Sequence, residues 1–222
     1  MDSEVMDWDS VYKQEAGFDG PPPWNIGEPQ PELAALIRDV KVSGDVLDAG
    51  CGHAELSLAL AGAGITVVGI DLSPTAIAAA NEAARDRGLS NATYVSADIT
   101  SFTGYDDRFA TIIDSTLFHS LPVDRRDAYL RSIHRAAAPG GHLYVLVFAK
   151  GAFPPDVEAK PNEVDEDELR AAVSKYFVID EIRPAKIHAH MPQIPGAPAP
   201  VDLDEKGRVK MPAFLLSAHK AG

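Results

Sequence analysis

The sequence has very little cysteine, no long apolar run and no leader-like start. Its single cysteine, Cys51, cannot form a disulfide within the chain, which fits a reducing compartment and excludes a small disulfide-stapled fold. No stretch approaches the roughly 18 consecutive apolar residues of a membrane span. The first nine residues are acidic and lack the basic and apolar regions of a secretion signal. We therefore expect a cytoplasmic protein without a membrane partner.

Basic residues are also scarce, with 20 lysines and arginines against 33 acidic residues and a formal net charge of −13. Such a surface repels polyanions, so nucleic acid is not an expected partner. The 222 residues, 45% hydrophobic and 24% charged, suit one α/β domain with a substantial core. We expect a single domain, 1–222, with an aromatic segment at 1–30, a core at 31–150 and a C-terminal part at 151–222.

A strand, a loop with two glycines and a helix follow one another near the start of the predicted core. The strand at 45–48 runs into Gly50 and Gly52. Glycine has no Cβ and can adopt positive φ, so this loop can turn sharply and expose bare amides and a helix N-terminus to a ligand. A second strand, 65–70, ends at Asp71, about 20 residues beyond Gly50, where an acidic side chain can hydrogen-bond a ribose. The pattern predicts a nucleoside site.

The third glycine of the dinucleotide fingerprint is absent, and Glu55 stands in its place. A carboxylate there is unfavourable for a pyrophosphate, which disfavours a nicotinamide cofactor. S-adenosylmethionine instead carries adenosine without phosphate, and a cationic sulfonium. The run Asp48-x-Gly50-x-Gly52, with an acidic residue ending the second strand, resembles the class I methyltransferases, and the resemblance extends over residues 24–150. It implies S-adenosylmethionine as the cofactor.

Strands alternate with helices along the chain. The strand segments are short, β-branched and apolar without alternation, which indicates a parallel sheet buried on both faces. We expect an α/β fold with a doubly wound, seven-stranded, mostly parallel sheet and an antiparallel last strand, as in class I methyltransferases. A turn at 139–141 should precede the fifth strand, and a loop through Pro184 should follow the sixth. The predicted strands are 45–48, 65–70, 93–97, 109–113, 143–148, 177–182 and 213–218, and the predicted helices include 32–40, 76–87 and one that ends at Tyr176.

The resemblance assigns the ends of the first two strands to the cofactor. Asp48 would hold the methionine ammonium, the backbone of Gly50, Cys51 and Gly52 would line the cofactor, and Asp71 would accept both ribose hydroxyls. Helix capping is the alternative for both aspartates, but doubly wound sheets bind ligands where these residues lie, at carboxyl ends of strands. Cys51 has no neighbouring base and is interpreted as a small spacer.

The next two strand ends complete the implied cofactor site. Leu72 would pack on the adenine, and Asp98 with Ile99 would contact the adenine amino group. A plain turn role is the alternative for Asp98. Asp114 and Ser115, after the fourth strand, would lie near the methionine moiety and the methyl group.

Three histidine positions invite a catalytic or metal role. His119 falls just beyond the fourth strand, close to the acceptor, and is a candidate general base because its pKa can cross neutrality. The alternative is a histidine bonded to loop backbone. His188 and His190 share one face if extended, which would permit a metal pair, but a substrate-pocket rim is preferred and no metal is expected. His53 is expected only to begin a helix.

The segment 1–30 is rich in aromatic residues and proline, which indicates an ordered cover. Its run Pro-Trp-Asn-Ile-Gly-Glu-Pro at 23–29 resembles the Pro-Trp-Asp-x-Gly-x-Pro signature of thiol and thiopurine methyltransferases, in which the tryptophan approaches the cofactor. Trp24 takes that place, and Asn25 replaces the aspartate. Together with the Asp-Ser-Thr-Leu-Phe-His run that ends at His119, this cover is similar to that of the heterocyclic toxin methyltransferases, which methylate hydroxylated quinolones and related aromatic nitrogen heterocycles.

An aromatic acceptor needs a flat apolar slot. Ordinary core packing is the alternative for each aromatic candidate. Because methyl transfer is an in-line displacement, positioning supplies most of the catalysis, and an acceptor that is already ionised needs only a hydrogen-bond partner such as His119 or Tyr12. The slot candidates are Tyr12, Phe18, Trp24, Phe118, Phe153 and Met191, with His188 at the rim.

These patterns predict methyl transfer to O, N or S of a small aromatic heterocycle such as a hydroxyquinolone, in a detoxification-like role, by a monomer or homodimer. A thiol or a quinone-type carbon acceptor remains an alternative. A protein that binds S-adenosylmethionine without catalysis is another. A nicotinamide oxidoreductase is the least favoured, because of Glu55.

Overall fold

The computed structural model describes residues 7–13, 15, 22–39, 41–153, 161–190 and 202–222. Within them, seven strands form one sheet in the order β3-β2-β1-β4-β5-β7-β6. Strand β7 is antiparallel to β5 and β6, and the other neighbours are parallel. This confirms the expected α/β sheet. The strands are β1 (Val46–Ala49), β2 (Val67–Asp71), β3 (Ala92–Ser96), β4 (Phe109–Ser115), β5 (Ala137–Phe148), β6 (Val178–Ala189) and β7 (Val209–His219).

The helices begin and end where local chemistry directs. The N-cap of the fourth helix, Ser73, accepts a hydrogen bond from the Ala76 amide at 3.1 Å, and Pro74 occupies the first turn. The sixth helix is capped by Asp165, which accepts from the Glu168 amide at 2.7 Å. The helices in the described ranges are α1 (Trp8–Tyr12), α2 (Pro31–Arg38), α3 (Glu55–Gly62), α4 (Pro74–Asp86), α5 (Arg126–Ala136) and α6 (Glu166–Val173).

Helices cover both faces of the sheet. On one face, Leu130 of α5 and Leu169 of α6 pack into the core. On the other, Leu33 of α2 and Leu60 of α3 do so. Every residue of β1 and β2 is buried, which explains why their sequences are apolar without alternation.

Three carboxylates emerge at one edge of the sheet. Strand β1 lies between β2 and β4, with Ala49 opposite both Ile70 and Asp114. The carboxyl ends of these parallel strands therefore bring Asp48, Asp71 and Asp114 to the same edge, where doubly wound sheets bind ligands.

The predicted turn at 139–141 lies inside β5, which begins at Ala137 rather than Leu143. The pairing of β4 with β5 is irregular here, because Phe109 pairs with Ala137 but Thr111 pairs with His142. The extra residues bulge out of the ladder. A Cβ at Gly141 would lie 2.8 Å from the Ala138 carbonyl oxygen, so the bulge requires glycine there.

The predicted loop at Pro184 is also wrong, because this residue lies within β6. Strand β6 is at the edge of the sheet, where proline is tolerated. Helix α5 was not among the predicted helices. No helix in the described ranges is long and apolar enough to cross a membrane.

Candidate active site

The glycine loop joins β1 to α3 and is held against the end of β2. Gly50 and Gly52 have φ of +70° and +51°, as their type allows. The amides of Gly50 and Cys51 donate to the Ile70 carbonyl oxygen at 2.8 and 3.1 Å. A Cβ would lie 2.9 Å from the Leu117 side chain at Gly50 and 2.5 Å from the Tyr12 hydroxyl oxygen at Gly52. The loop therefore requires glycine at both places and presents bare backbone.

Asp48 and Asp71 are buried carboxyls at the edge of the loop. Asp71 accepts from the Gly52 amide and the Ser73 amide, both at 2.9 Å. Burial raises the pKa of Asp48 to about 6 and also raises the pKa of Asp71. In the described part of the chain, neither carboxyl forms an ion pair with a lysine or arginine. Two buried carboxyls without a basic partner suit a ligand that brings its own positive charge, as the ammonium and sulfonium of S-adenosylmethionine do.

The predicted adenine contacts lie beside this pair. Leu72 is 53% exposed, which is high for a leucine that follows a buried strand, so its side chain is free to pack on a flat ring. Asp98 accepts from the Thr100 amide and hydroxyl at 2.8 and 2.7 Å, and it faces Arg125 at 3.6 Å. The turn role of Asp98 is therefore present, and its contact with the adenine, like that of the buried Ile99, stays a prediction.

Asp114 is fully buried. Its carboxylate accepts from the Leu117 and Phe118 amides at 2.7 and 3.2 Å and from the Tyr129 hydroxyl at 2.7 Å. Burial raises the pKa of Asp114 to about 7 in spite of these hydrogen bonds. The structure thus shows Asp114 holding the loop after β4, and its predicted place near the methionine moiety of the cofactor stays a prediction.

That loop begins with a strained residue. Thr116 has φ of +73°, a conformation that a β-branched side chain rarely adopts. Its amide donates to the Leu146 carbonyl oxygen at 3.1 Å, and the Ser120 hydroxyl donates to its carbonyl oxygen at 2.9 Å. Ser115, half-buried at the end of β4, lies directly before this turn. Strain maintained by such bonds is typical of residues beside a ligand site.

His119 is buried and bonded to backbone. Its Nδ1 accepts from the Phe148 amide at 3.2 Å, and Asn162 donates to its carbonyl oxygen at 3.2 Å. Burial, together with the Arg126 charge, lowers the pKa of His119 to about 3. Because Nδ1 accepts, the hydrogen bond assigns the ring proton to Nε2. A neutral ring with Nε2–H is a donor, so the structure shows the backbone bond of the alternative and gives the general-base prediction no support.

Phe153 and Phe118, both predicted to line the acceptor slot, lie in different surroundings. The Phe153 ring packs edge-on against Phe148 with centroids 4.9 Å apart, and Phe148 packs against His119 at 4.7 Å. The Phe118 ring is fully buried between Tyr129 and the Arg126 guanidinium. Phe153 therefore belongs to an aromatic group beside His119, whereas Phe118 is a core residue, contrary to the prediction.

Described residues of the N-terminal cover lie on the glycine loop. Tyr12 places its hydroxyl against Gly52, and Trp24, which packs edge-on against Trp8 at 6.0 Å, hydrogen-bonds that hydroxyl. Burial and the nearby Asp71 carboxyl raise the pKa of Tyr12 well above its usual range. The phenol therefore stays protonated and faces the predicted cofactor loop, so the prediction of Tyr12 as a catalytic partner of the acceptor is not supported.

Polar contacts fix this cover at two further places. Asn25, which replaces the signature aspartate, bonds the His53 ring at 2.8 Å, and burial lowers the pKa of that ring. Asp9 accepts from the Ser73 hydroxyl at 2.7 Å and from the Thr75 amide at 3.1 Å. The cover is thus tied to the glycine loop before α3 and to the start of α4.

The buried Gln30 was missed by the sequence reasoning. Its side chain donates to the His188 carbonyl oxygen at 2.9 Å and accepts from the His188 amide at 2.8 Å. The Gln30 side chain thus bonds both backbone groups of one residue of β6 and links that strand to the cover. No local pattern could reveal it, because the partners lie 158 positions apart.

His188 belongs to a polar cluster with the hairpin before β7. Its Nδ1 lies 2.7 Å from Asp204, which also accepts from Arg208 at 2.6 Å, and Arg208 donates to Glu28 at 2.6 Å. Burial acts against ionised Asp204, but these hydrogen bonds lower its pKa below the usual range. His188 is thus a structural link, and its predicted place at the rim of a substrate pocket stays a prediction. The described residues contain no group able to hold a metal ion, and the slot candidates Phe18 and Met191 lie outside them.

Comparison with known proteins places this geometry in a family. A model of the methyltransferase domain matches residues 46–141. The chain is 52% identical to the 2-heptyl-1-hydroxyquinolin-4(1H)-one methyltransferase of Mycobacteroides abscessus, over 96% of each chain.

Two solved structures extend the comparison. One, from work on the conversion of a disulfide bond into a thioacetal group during echinomycin biosynthesis, is 32% identical with a TM-score of 0.85, covering 99% of this chain and 93% of the other. A Burkholderia thailandensis 1,6-didemethyltoxoflavin-N1-methyltransferase with bound S-adenosylhomocysteine shares the fold at 20% identity and a TM-score of 0.62, covering 86% of this chain and 77% of the other. This chain belongs to the S-adenosylmethionine-dependent methyltransferases.

Proposed function

We propose that this enzyme transfers the methyl group of S-adenosylmethionine to the hydroxyl oxygen of a hydroxylated aromatic nitrogen heterocycle of the 1-hydroxyquinolin-4-one class. The observation that carries the proposal is the 52% identity, across almost the whole of both chains, to a relative named for such an acceptor. The match covers 96% of this chain, so it is not confined to the cofactor core.

On the cofactor side, the glycine loop and the two buried carboxyls have defined tasks. Asp48 would hold the ammonium of the methionine moiety, and Asp71 would accept from the ribose hydroxyls, since its oxygens retain lone pairs beyond the two amides they accept from. Leu72 packs on the adenine. When bound, the cofactor supplies a methyl group activated by the sulfonium. Tyr12 lies above Gly52 and excludes water from this side.

On the acceptor side, the enzyme needs a donor rather than a base. The hydroxyl of a hydroxyquinolone is a weak acid that is already largely ionised near neutrality, so no proton must be removed during the transfer. The neutral His119 ring would offer Nε2–H to the oxyanion and so hold the reacting oxygen in position for the in-line transfer. The rings of Phe148 and Phe153 form the nearest apolar wall.

The acceptor atom is tested with a matched panel of compounds. The purified enzyme is incubated with S-adenosylmethionine and either 2-heptyl-1-hydroxyquinolin-4(1H)-one, its analogue without the N-hydroxyl, or a simple aromatic thiol, and products are measured by mass spectrometry. We expect methylation of the first compound and at least about 100-fold slower reaction of the second, because the reacting oxygen is missing. Equal rates for the first two compounds would refute transfer to the N-hydroxyl oxygen.

Sulfur is the second candidate acceptor. It is favoured by the relative studied for conversion of a disulfide bond into a thioacetal group, which is 32% identical and aligns along 99% of this chain. Faster methylation of the thiol than of the N-hydroxy compound would establish this candidate in place of the first.

A cytoplasmic location and a detoxifying role follow as further parts of the proposal. They are supported by the single cysteine and by the capping of a reactive N-hydroxyl that methylation would achieve. Cells that express the enzyme should tolerate higher concentrations of the N-hydroxy acceptor than cells that express an inactive variant. Equal tolerance would refute the detoxifying role.

A further inference from the structure

A short hydrogen bond lies beneath the glycine loop. Ser57, on α3, is fully buried and donates its hydroxyl to the Asp48 carboxylate at 2.5 Å. No other side-chain hydrogen bond to Asp48 occurs in the described residues. Ser57 is therefore the side chain that hydrogen-bonds the carboxyl proposed to bind the cofactor ammonium.

A second hydroxyl lies near this bond without a hydrogen-bond partner. Tyr94, on β3, is 7% exposed, and its hydroxyl is buried and unpaired. Its ring crosses β2 at Gly69, where a Cβ would lie 2.6 Å from the ring, and this approach brings the hydroxyl into the vicinity of Ser57 and Asp48. Buried hydroxyls are almost always paired in folded proteins, so an unpaired one beside a ligand site calls for a function.

The charged surroundings oppose ionisation of Asp48. The other carboxyls near Asp48 disfavour a second negative charge there. Raised pKa values keep the Cys51 thiol and the nearby tyrosine phenols neutral. The side-chain hydrogen bond from Ser57 acts in the opposite direction and favours the charged carboxylate. The titratable groups that act on this place are Asp71 on β2, Cys51 and His53 on the glycine loop, Tyr12 on the cover, Asp114 on β4, Tyr129 on α5 and, beyond Tyr94, Arg87 after α4.

We propose that Ser57 and Tyr94 are positioning residues that hold Asp48 in the ionised form that receives the cofactor ammonium. Ser57 donates to the carboxylate directly, and the Tyr94 hydroxyl, which has no other partner among the described residues, is the group near Ser57 that would turn its proton toward the Ser57 oxygen and so favour the direction of the Ser57 proton. No proton leaves either hydroxyl. This inference rests on the proposed role of Asp48 and adds two residues that do not themselves touch the cofactor.

The test is the pH dependence of S-adenosylhomocysteine binding, measured by calorimetry in buffers of different ionisation enthalpy. Removing a hydrogen bond that favours the carboxylate moves the pKa of Asp48 upward from about 6. For a rise of about one pH unit, Ser57→Ala should weaken binding about fivefold at pH 6 and less than twofold at pH 8.5. Tyr94→Phe should weaken it about twofold at pH 6. Both variants should release more protons on binding at pH 6 than the wild type.

Matched controls remove buried hydroxyls elsewhere. Ser132→Ala loses a bond to the Thr100 carbonyl oxygen, and Tyr144→Phe loses one to the Lys41 carbonyl oxygen. Neither should change the pH dependence.

Three results would overturn the inference. A loss of affinity that is equal at pH 6 and pH 8.5 would show that Ser57 and Tyr94 act through packing alone. Unchanged binding by both variants would show that they have no role. A wild-type affinity that does not weaken below pH 6 would show that Asp48 does not receive the ammonium. This last result concerns cofactor binding only, so it is distinguishable from failure of the acceptor assignment, which would appear in the compound panel.

Discussion

Replacing Asp71 by Asn should weaken cofactor binding without unfolding the protein. In the structure, each carboxylate oxygen already accepts one amide, from Gly52 and from Ser73, at 2.9 Å. Asparagine keeps one acceptor oxygen, but turns an NH2 group toward a backbone N–H, and it removes the charge that two ribose hydroxyls would face. Hydrogen bonds to charged groups contribute about 1.5–3 kcal/mol each, so a net loss of about 2 kcal/mol, roughly 30-fold in Kd, is expected.

The assay is calorimetric titration with S-adenosylhomocysteine and with its 2′-deoxy analogue. If Asp71 accepts the 2′-hydroxyl, the wild type should bind the deoxy analogue more weakly, whereas Asp71→Asn should discriminate little between the two ligands. The two changes are then coupled, as expected for groups in contact. Asp180→Asn, which alters an exposed aspartate on β6 paired with His219, is the matched control and should bind as the wild type does.

Strictly additive losses, with the same discrimination in wild type and variant, would refute the ribose role of Asp71. An unchanged affinity for S-adenosylhomocysteine would refute it as well. Thermal unfolding of the free variant separates either result from a general loss of stability.

Three more outcomes follow from the geometry. His119→Asn keeps an acceptor near the Phe148 amide and removes Nε2–H, so turnover should fall about 10- to 100-fold. The factor should be the same at every pH from 5 to 8. A variant whose pH profile loses a limb near neutrality would instead show that His119 is a titrating base. Burial raises the pKa of Asp114 to about 7 from an ordinary value of 3.8, so the folded state binds more protons and the free energy of unfolding should fall as pH rises from about 4 to 7. Urea unfolding at pH 5 and pH 7.5 should show a fall of at most about 3 kcal/mol from this group, and Asp114→Asn should have a flatter dependence, while an equal slope in the variant would contradict the assignment. Gln30→Ala leaves the amide and carbonyl of His188 without partners and should reduce the free energy of unfolding by about 1 to 3 kcal/mol, and no change would show that water replaces the side chain.

The parts of the site that could be predicted are those encoded by neighbours in sequence. The Asp48-x-Gly50-x-Gly52 run indicates a sharp turn after a strand, and the turn takes the expected positive φ values. Ser73 predicts the start of α4 in the same way, because a cap bonds an amide only three residues on. The seven-stranded, mostly parallel sheet with an antiparallel last strand was expected from the family resemblance and is confirmed.

The errors lie where distant residues decide. The role of His119 depends on the Phe148 amide, which is 29 positions away, and the sequence does not show which ring nitrogen that amide occupies. Phe118 and Phe153 read alike as aromatic residues in loops, yet only the first is enclosed by α5. Pro184 predicts a loop unless the strand that contains it is known to be at an edge.

One helix was missed although its signal was present. Tyr129, Leu130 and Ile133 recur at helical spacing within α5 and are all buried. The charged residues between them, which lie on the solvent side of an amphipathic helix, hid the pattern.

The most direct measurement is a crystal structure of the enzyme with S-adenosylhomocysteine and the N-hydroxyquinolone. We expect the ribose hydroxyls within hydrogen-bond distance of Asp71, the ammonium at Asp48, and the acceptor oxygen in line with the sulfur and bonded to Nε2–H of His119. A cofactor bound away from the glycine loop, or an acceptor whose oxygen points away from the sulfur, would contradict the proposed site.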